Sequence, residues 1–369
     1  MCEYAESLGA SAGRGAYDEA LRAGDLIASC RREIVNLIGG ESPDHVAFTL
    51  NCSDALNLAL RGLIDPFKPG HCVITATDHN SILRPVHAMA EAWGLKFTVV
   101  PVDPQTTLVD PADVRAAIQA DTKFVAITHV SNVTGAVQPI REVGEICRDR
   151  AVPLVVDAAQ SLGHVDLDVQ RDAIDLLAAP GHKALMGPLG TGFLYLRPGM
   201  EKLVRPLREG GTGSRSDLPT QPTSMPDRYE PGSHNAIGLA GLLAGVRWIR
   251  ERGLGELIRH EQSLVTTFID AVIGIDGLRY LGPQGVADRI GVFSVVIDGY
   301  EPQELSAVLE SGFGVLTRSG IHCAPWVHEA CGTLGSGGAT RLSFGPFLTK
   351  QDVRFAADAL AQVASGVPA

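Results

Sequence analysis

Seven short runs rich in β-branched and other apolar residues follow one another from about residue 46: HVAFTL, HCVITAT, LKFTVVPV, KFVAITHV, VPLVVDAA, IDLLAA and GFLYL. No other feature of the chain restricts its fold as much. Runs of this length, separated by segments with helical spacing, are the pattern of buried strands joined by crossover helices. The segments at 53–63, 82–93, 111–118 and 140–148 supply those right-handed connections. The spacing therefore predicts an α/β fold whose large domain is a doubly wound, mostly parallel sheet covered by helices. A Gly- and Pro-rich stretch at 209–232 reads as loop, and a long helix follows over about 235–252. Beyond it come a helix, the strand GVFSVVID, a helix, the strand TRLSFG and a final helix, the pattern of a smaller α+β domain. The expected division is 31–245 for the large domain and 246–369 for the small C-terminal one, with 1–30 packing near the latter.

Composition narrows the function classes. The chain of 369 residues is 45% hydrophobic and 20% charged, the balance of an ordinary soluble globule. A net charge of -11 offers no basic surface on average, so nucleic acid is not an expected partner. The start, MCEYAESLGASAGRG, has neither a basic segment nor an apolar one of the kind that directs export. The longest apolar stretch, IGLAGLLAGVRWI, is too short to cross a bilayer. The expectation is a cytoplasmic protein with no membrane partner. Cys2, Cys30, Cys52, Cys72, Cys147, Cys323 and Cys331 are odd in number and contain no CxxC pair, which argues against a disulfide framework.

Ligand sites in open α/β sheets gather at the carboxyl ends of the strands, so the polar residues that close each run are the candidates. VPLVVD ends in Asp157, with Gln160 after it; KFVAITH ends in His129, with Asn132 following; ITATD leads into His79; IDLLAA runs into Pro180-Gly181-His182-Lys183. As a set they suit pyridoxal 5'-phosphate. Lys183 supplies an amine whose pKa a low-polarity site and nearby cations can depress until it forms an imine. Asp157 supplies a carboxylate that can keep a pyridine nitrogen protonated and the ring an electron sink. His79 supplies an imidazole to cover the ring and shuttle protons. Cys52-Ser53-Asp54, opening a helix with Ser53 read as its N-cap, supplies a phosphate cup.

The segments FTLNCSDALNLAL, HVSNVTG, VVDAAQS, GHKALMGPLGTG, GGTGS and RSGIHCAP, in this order over nearly the whole chain, resemble the class V aminotransferase family, in particular its group II cysteine desulfurases and selenocysteine lyases. The resemblance implies the fold type I of pyridoxal-phosphate enzymes. It implies Lys183 as the Schiff-base lysine, Asp157 at the pyridine nitrogen and Gln160 at the phenolic oxygen. His79 would stack on the ring, with Ser53 and His182 at the phosphate beside Cys52. Asn132 would approach the substrate and Arg341, in GATRLSFG, would clamp its carboxylate. A guanidinium fork matches a carboxylate two bonds to two, as a lysine does not. Ser233, in EPGSHN, would reach the phosphate of a neighbouring subunit, so a homodimer with shared sites is expected.

Sulfur transfer needs a thiolate that attacks the substrate sulfur, and the family places it at Cys323. In Arg318-Ser319-Gly320-Ile321-His322-Cys323-Ala324-Pro325 the flanking Gly and Pro predict an accessible loop, with Arg318 and His322 helping to hold the thiolate. The expected reaction converts L-cysteine to L-alanine, with Lys183 as the base at Cα and the sulfur kept as a persulfide on Cys323 for an acceptor protein in iron–sulfur or thiocofactor assembly. A selenocysteine or cysteine-sulfinate lyase is the first alternative and would tolerate loss of Cys323. The second is a non-enzymatic metal- or sulfur-binding relative, with His322, Cys323, His328 and Cys331 of HCAPWVHEAC as ligands; four ligands would have to converge from one short segment, and no metal is expected. GPLGTG and GGTGS lack nucleotide-loop spacing and read as tight loops beside the cofactor.

The chain departs from the family in two places. Relatives usually open with a segment resembling YLDNAAT ahead of the part matching SAGRGAYDEAL; without it the site entrance is expected to be less covered, although Arg14-Gly15 match the family's Arg-Gly near that entrance. Pro180 stands where many relatives place a Ser or Thr at the phosphate, so a hydroxyl and an N–H are lost together and weaker cofactor retention is expected.

Overall fold

The computed structural model describes residues 1–13 and 15–366, so Arg14 lies outside the described residues. The large sheet contains β1 (Val46–Thr49), β2 (His71–Thr75), β3 (Lys96–Val100), β4 (Thr122–Thr128), β5 (Leu154–Asp157), β6 (Leu176–Pro180) and β7 (Gly192–Leu196). Each matches one of the apolar runs, β4 beginning one residue before its run and β6 ending one residue after. Their order is β3-β2-β4-β5-β6-β7-β1. Only β7 opposes its neighbours. The connection from β6 to β7 contains no helix to carry the chain back across the sheet, so the strand returns antiparallel.

Side chains alternate between two apolar clusters, one on each face: Leu154, Val156 and Leu177 join one, and Val155, Leu176 and Ala178 the other. Both faces being covered explains why the strands read as continuous apolar runs rather than alternating ones. The parallel strands end along a common edge, which collects Thr128, Asp157 and Pro180.

Asp78 fastens that edge. Fully buried just past β2, it accepts from the Thr75 N–H (2.7 Å) on one oxygen and from the Thr128 N–H (2.7 Å) on the other. Burial raises its pKa to about 7, against the pull of these hydrogen bonds. Asp78→Asn would set an amide nitrogen against a backbone N–H, so a loss of about 1–3 kcal/mol is expected. A lower urea midpoint at unchanged slope would register it.

The small domain's sheet contains β8 (Leu278–Tyr280), β9 (Val292–Ile297), β10 (Arg318–Gly320) and β11 (Ala339–Ser343), antiparallel in the order β10-β11-β9-β8. Helices Leu254–Val272, Pro302–Phe313 and Lys350–Ala364 contribute to its core, where Phe268, Phe293 and Phe344 meet. The sequence reading included β9 and β11 but missed β8 and β10. Those two have three residues each and lack an apolar run.

The placement of residues 1–30 needs correction. Helix Asp18–Ile38 lies along helix Ala236–Arg252, and Tyr4, Ala23, Ile27 and Cys30 join the large domain's core, whereas no described member of the Phe268 cluster comes from this segment. The apolar stripe of Asp18–Ile38 had to find a partner, and the Leu239, Leu243, Val246 and Ile249 face provides it. The expected boundary at 245/246 falls inside helix Ala236–Arg252. Among the described residues no helix is long and apolar enough to cross a membrane.

Candidate active site

Lys183 follows β6 by three residues, in a turn where the Met186 N–H donates to the Lys183 carbonyl (3.0 Å) and the Gly187 N–H to that of Gly181 (2.7 Å). A side chain on Gly181 would lie 2.1 Å from Thr191 Oγ1, so glycine is what lets the two arms of this connection close. Lys183 is exposed to solvent, yet enough protein surrounds it to desolvate its amine. Desolvation lowers its pKa; Asp157 and Cys52 oppose the shift, and Arg341 and Arg318 reinforce it. A depressed ammonium is what a nucleophilic lysine requires.

Asp157, at the end of β5, is only 2% exposed. Its Oδ1 accepts from the Ala159 N–H (2.9 Å) and the Cys52 thiol (3.3 Å), while Oδ2 receives no donor among the described residues. Burial and then Asp157 push the Cys52 thiol well above its usual range, so it serves as a donor and not as a thiolate.

Cys52 and Ser53 open helix Cys52–Gly62, but the N-cap is Asn51, whose side chain accepts from the Asp54 N–H (2.9 Å). Ser53 is thus the second helical residue, a correction to the sequence reading. The N–H groups of Cys52 and Ser53 have no acceptor among the described residues, which leaves an anion-binding pair with the helix dipole behind it. A side chain on Gly192 would come within 2.7 Å of the Asn51 backbone, so glycine seats this helix start against β7.

His79 caps helix Asn80–Trp93. Its Nδ1 accepts from the Ser81 N–H (3.0 Å) and lies 2.9 Å from the Ser81 hydroxyl, which is 2.6 Å from that of Ser53. An occupied Nδ1 assigns the ring proton to Nε2. Burial lowers the pKa of His79, Asp157 opposing and Lys183, Arg318 and Arg84 reinforcing, which favours the neutral imidazole.

Cys323 sits in a short turn, as expected, but only partly open to solvent. β10 covers Arg318–Gly320, and Cys323 is half-buried between that strand and helix Pro325–Ala330. Its carbonyl accepts from the Asn80 N–H (2.7 Å). Asn132 donates through Nδ2 to the His322 carbonyl (2.6 Å), leaving a buried Oδ1 with no donor. Arg341 donates through Nη1 to the Asn132 carbonyl (2.8 Å) and keeps a buried Nε with no acceptor. Burial and then Arg318, its cross-strand partner, lower the Arg341 pKa to about 10, which leaves it cationic at neutral pH. Arg318 Nη2 stands 4.0 Å from Cys323 Sγ. The part expected of His322 is not observed: Nε2 meets the Arg318 carbonyl (2.9 Å) and Nδ1 meets His328 Nε2 (3.3 Å), so neither nitrogen serves the thiol. With those nitrogens bonded to each other, no group of three or more His, Cys, Asp or Glu among the described residues is placed to hold a metal.

His182, half-buried beside Lys183, has a buried Nδ1 without a partner, and burial and then Lys183 lower its pKa. Gln160 is half-buried just past β5. Ser233 is not with this group: it is exposed and lines a separate recess with Phe48, Arg208 and Glu230. That loop is anchored by Glu230, buried against Arg31 (2.8 and 2.5 Å), the Phe48 N–H (2.5 Å) and His234 (2.5 Å). Asn51 as the helix cap and Ser81 escaped the sequence reading, in which His328 figured only as a metal ligand of the second alternative. The Asn51-Cys52-Ser53-Asp54 spacing carried an N-cap signal that could have found the first.

A family model described as aminotransferase class V matches residues 1–355. The chain belongs to the class-V aminotransferase family. A probable cysteine desulfurase of Methanothermobacter thermautotrophicus is 32% identical over 369 residues, covering 99% of this chain and 90% of that protein. Another, of Pyrococcus abyssi, is 33% identical over 358 residues, covering 96% and 87%. Among solved structures, the apo cysteine desulfurase of Thermococcus onnurineus superimposes with a TM-score of 0.92 at 32% identity, over 99% of this chain and 90% of that one. The fold is accordingly that of pyridoxal-phosphate enzymes of fold type I.

The residues fit the pyridoxal phosphate that class-V aminotransferases imply. Asp157 Oδ2 is an open acceptor for a pyridinium N–H, and the Cys52 and Ser53 N–H groups are open donors for a phosphate. The unpartnered His182 Nδ1, Asn132 Oδ1 and Arg341 Nε are further polar atoms that the protein alone leaves unsatisfied.

Proposed function

We propose that this protein is a pyridoxal-phosphate-dependent cysteine desulfurase that converts L-cysteine to L-alanine and holds the sulfur as a persulfide on Cys323. One observation carries the reading: the Cys323 carbonyl accepts from the Asn80 N–H at 2.7 Å, tying a thiol of the small domain to the helix that His79 caps. Transamination has no use for a thiol there. The relatives named cysteine desulfurases, matched over nearly the full chain, support the same reading.

In this reading Lys183 Nζ would hold the cofactor, Asp157 would serve its pyridine nitrogen and Gln160 its phenolic oxygen, His79 would cover its ring, and Cys52, Ser53 and His182 would hold its phosphate. Pyridoxal phosphate, when bound, supplies an electron sink for the charge left at Cα. Arg341 receives the substrate carboxylate, already aimed by its bond to the Asn132 carbonyl. Asn132 presents Oδ1 toward the substrate from a position fixed by its Nδ2. The Lys183 amine would take the Cα proton. Cys323 then attacks as thiolate: its S–S bond to the substrate sulfur forms, the C–S bond breaks, and the electron pair passes to carbon, which is protonated to give alanine. No external oxidant or reductant enters this balance. The persulfide passes to an acceptor protein, a step suited to iron–sulfur or thiocofactor assembly. Ser233, exposed on its anchored loop, would reach the phosphate of a second subunit in a homodimer, and the cytoplasm is the proposed compartment.

An absorbance spectrum of the purified protein with pyridoxal phosphate, recorded before and after L-cysteine with alanine and sulfide assayed alongside, tests this directly. A band that responds to cysteine together with alanine release is expected, and Lys183→Ala should lose both. Absence of any cofactor band in the wild type would remove the enzyme reading.

A further inference from the structure

His322 and Cys323 are consecutive residues in the left-handed region, at φ of 55° and 60°. A side chain there crowds the following carbonyl, so two in succession persist only where their surroundings enforce them. Three contacts do so. Asn132 Nδ2 donates to the His322 carbonyl (2.6 Å), the Asn80 N–H donates to the Cys323 carbonyl (2.7 Å), and the His322 ring reaches back through Nε2 to the Arg318 carbonyl (2.9 Å).

The third contact depends on a tautomer. A carbonyl only accepts, so His322 Nε2 carries the proton and Nδ1 is a bare lone pair, in a residue 3% exposed. His328 Nε2 faces that lone pair at 3.3 Å, and His328 Nδ1 lies 2.8 Å from the Thr333 hydroxyl. One arrangement satisfies every atom: Thr333 Oγ1–H donates to His328 Nδ1, His328 Nε2–H to His322 Nδ1, and His322 Nε2–H to the Arg318 carbonyl. Burial holds both imidazoles neutral at neutral pH, each with a pKa lowered to about 4. Remove the donor at His328, and His322 must either bury an unpaired nitrogen or turn its ring and release the Arg318 carbonyl.

We propose that His328 and Thr333 are positioning residues for sulfur transfer: acting through His322, they lock the turn that aims the Cys323 thiol at the substrate sulfur. The inference rests on the reading of Cys323 as sulfur acceptor. Neither ring is within hydrogen-bonding reach of Cys323 Sγ among the described contacts, so the effect travels through the backbone of the turn.

The test uses the holoenzyme and the variants His328→Leu, His328→Gln and Thr333→Val, each given L-cysteine and, separately, L-cysteine sulfinate, whose sulfur leaves without a thiol acceptor. His328→Leu is expected to lower kcat on L-cysteine about 10- to 100-fold at nearly constant KM, the scale of a misaimed reacting group. Turnover of the sulfinate should stay at the wild-type rate. His328→Gln, whose amide nitrogen can replace Nε2 as donor, should recover most of the loss, and Thr333→Val should show a smaller loss with the same selectivity. Iodoacetamide labelling of Cys323, followed by mass spectrometry, should change several-fold in His328→Leu and stay near wild type in His328→Gln. Equal losses on both substrates would reduce the relay to a general structural role and overturn the proposal, as would unchanged cysteine turnover and labelling. A wild type that releases no alanine from L-cysteine would instead defeat the desulfurase reading, and the labelling comparison would still decide whether His328 sets the Cys323 turn. Should His328→Leu fail to fold, Thr333→Val carries the same comparisons.

Discussion

Cys323→Ala is expected to cut alanine formation from L-cysteine by about 10³-fold or more while leaving cofactor binding intact, because it removes the atom that forms the new S–S bond. The separation should be clean. The backbone contacts of the turn, from Asn80 N–H to the Cys323 carbonyl and from Asn132 to the His322 carbonyl, do not involve the thiol. Among the described residues, Lys183, Asp157 and His79 likewise make no hydrogen bond to Cys323. The variant should therefore give the wild-type spectrum with pyridoxal phosphate and still release alanine from cysteine sulfinate. Full activity of Cys323→Ala on L-cysteine would move the protein to the lyase alternative, in which the leaving group departs unaided.

The second large effect is on stability. His129, His322 and His328 are buried, and burial lowers the pKa of each from an ordinary 6.5 to about 4. The folded state therefore holds fewer protons than the unfolded chain between those values. The stabilisation is complete above the unfolded value of 6.5 and is lost as the pH falls toward 4, at up to about 3 kcal/mol per ring. Asp78 runs the other way: its pKa, raised to about 7 by burial, favours the protonated folded form, so acidification relieves its cost by about 4 kcal/mol. Three rings against one carboxyl leave a net loss of several kcal/mol between pH 7 and 4. Urea midpoints measured across that range should fall steeply, and a flat profile would show that the rings are not held neutral.

The placement of the site at the strand ends was legible because parallel strands end on one edge and the polar residues that close the runs must then meet. Asp157 and Lys183 were found that way, and the electrostatic coupling of Lys183 to Asp157, Cys52, Arg318 and Arg341 places them together. Contacts made between distant segments were harder to read. The expectation for Asn132 came from the resemblance alone, and nothing in the spacing showed that its Nδ2 bonds the His322 carbonyl, 190 residues away in sequence. His322 was expected at the thiolate, yet its ring is held by His328 and the Arg318 carbonyl. Neither partner can be inferred from spacing, because which nitrogen a ring offers depends on what the fold sets beside it.

The sequence by itself determined the α/β architecture, the seven strands of the large sheet and the polar residues that close them, since these follow from local apolar patterning and from residue types at strand ends. Tertiary structure alone decided that 1–30 packs on helix Ala236–Arg252, that Asn51 rather than Ser53 caps the phosphate-side helix, and that Cys323 stands on an enforced turn. In each of these the outcome is a competition among donors, acceptors or apolar faces that lie far apart in sequence, and such competition is settled only when the chain has brought them into contact.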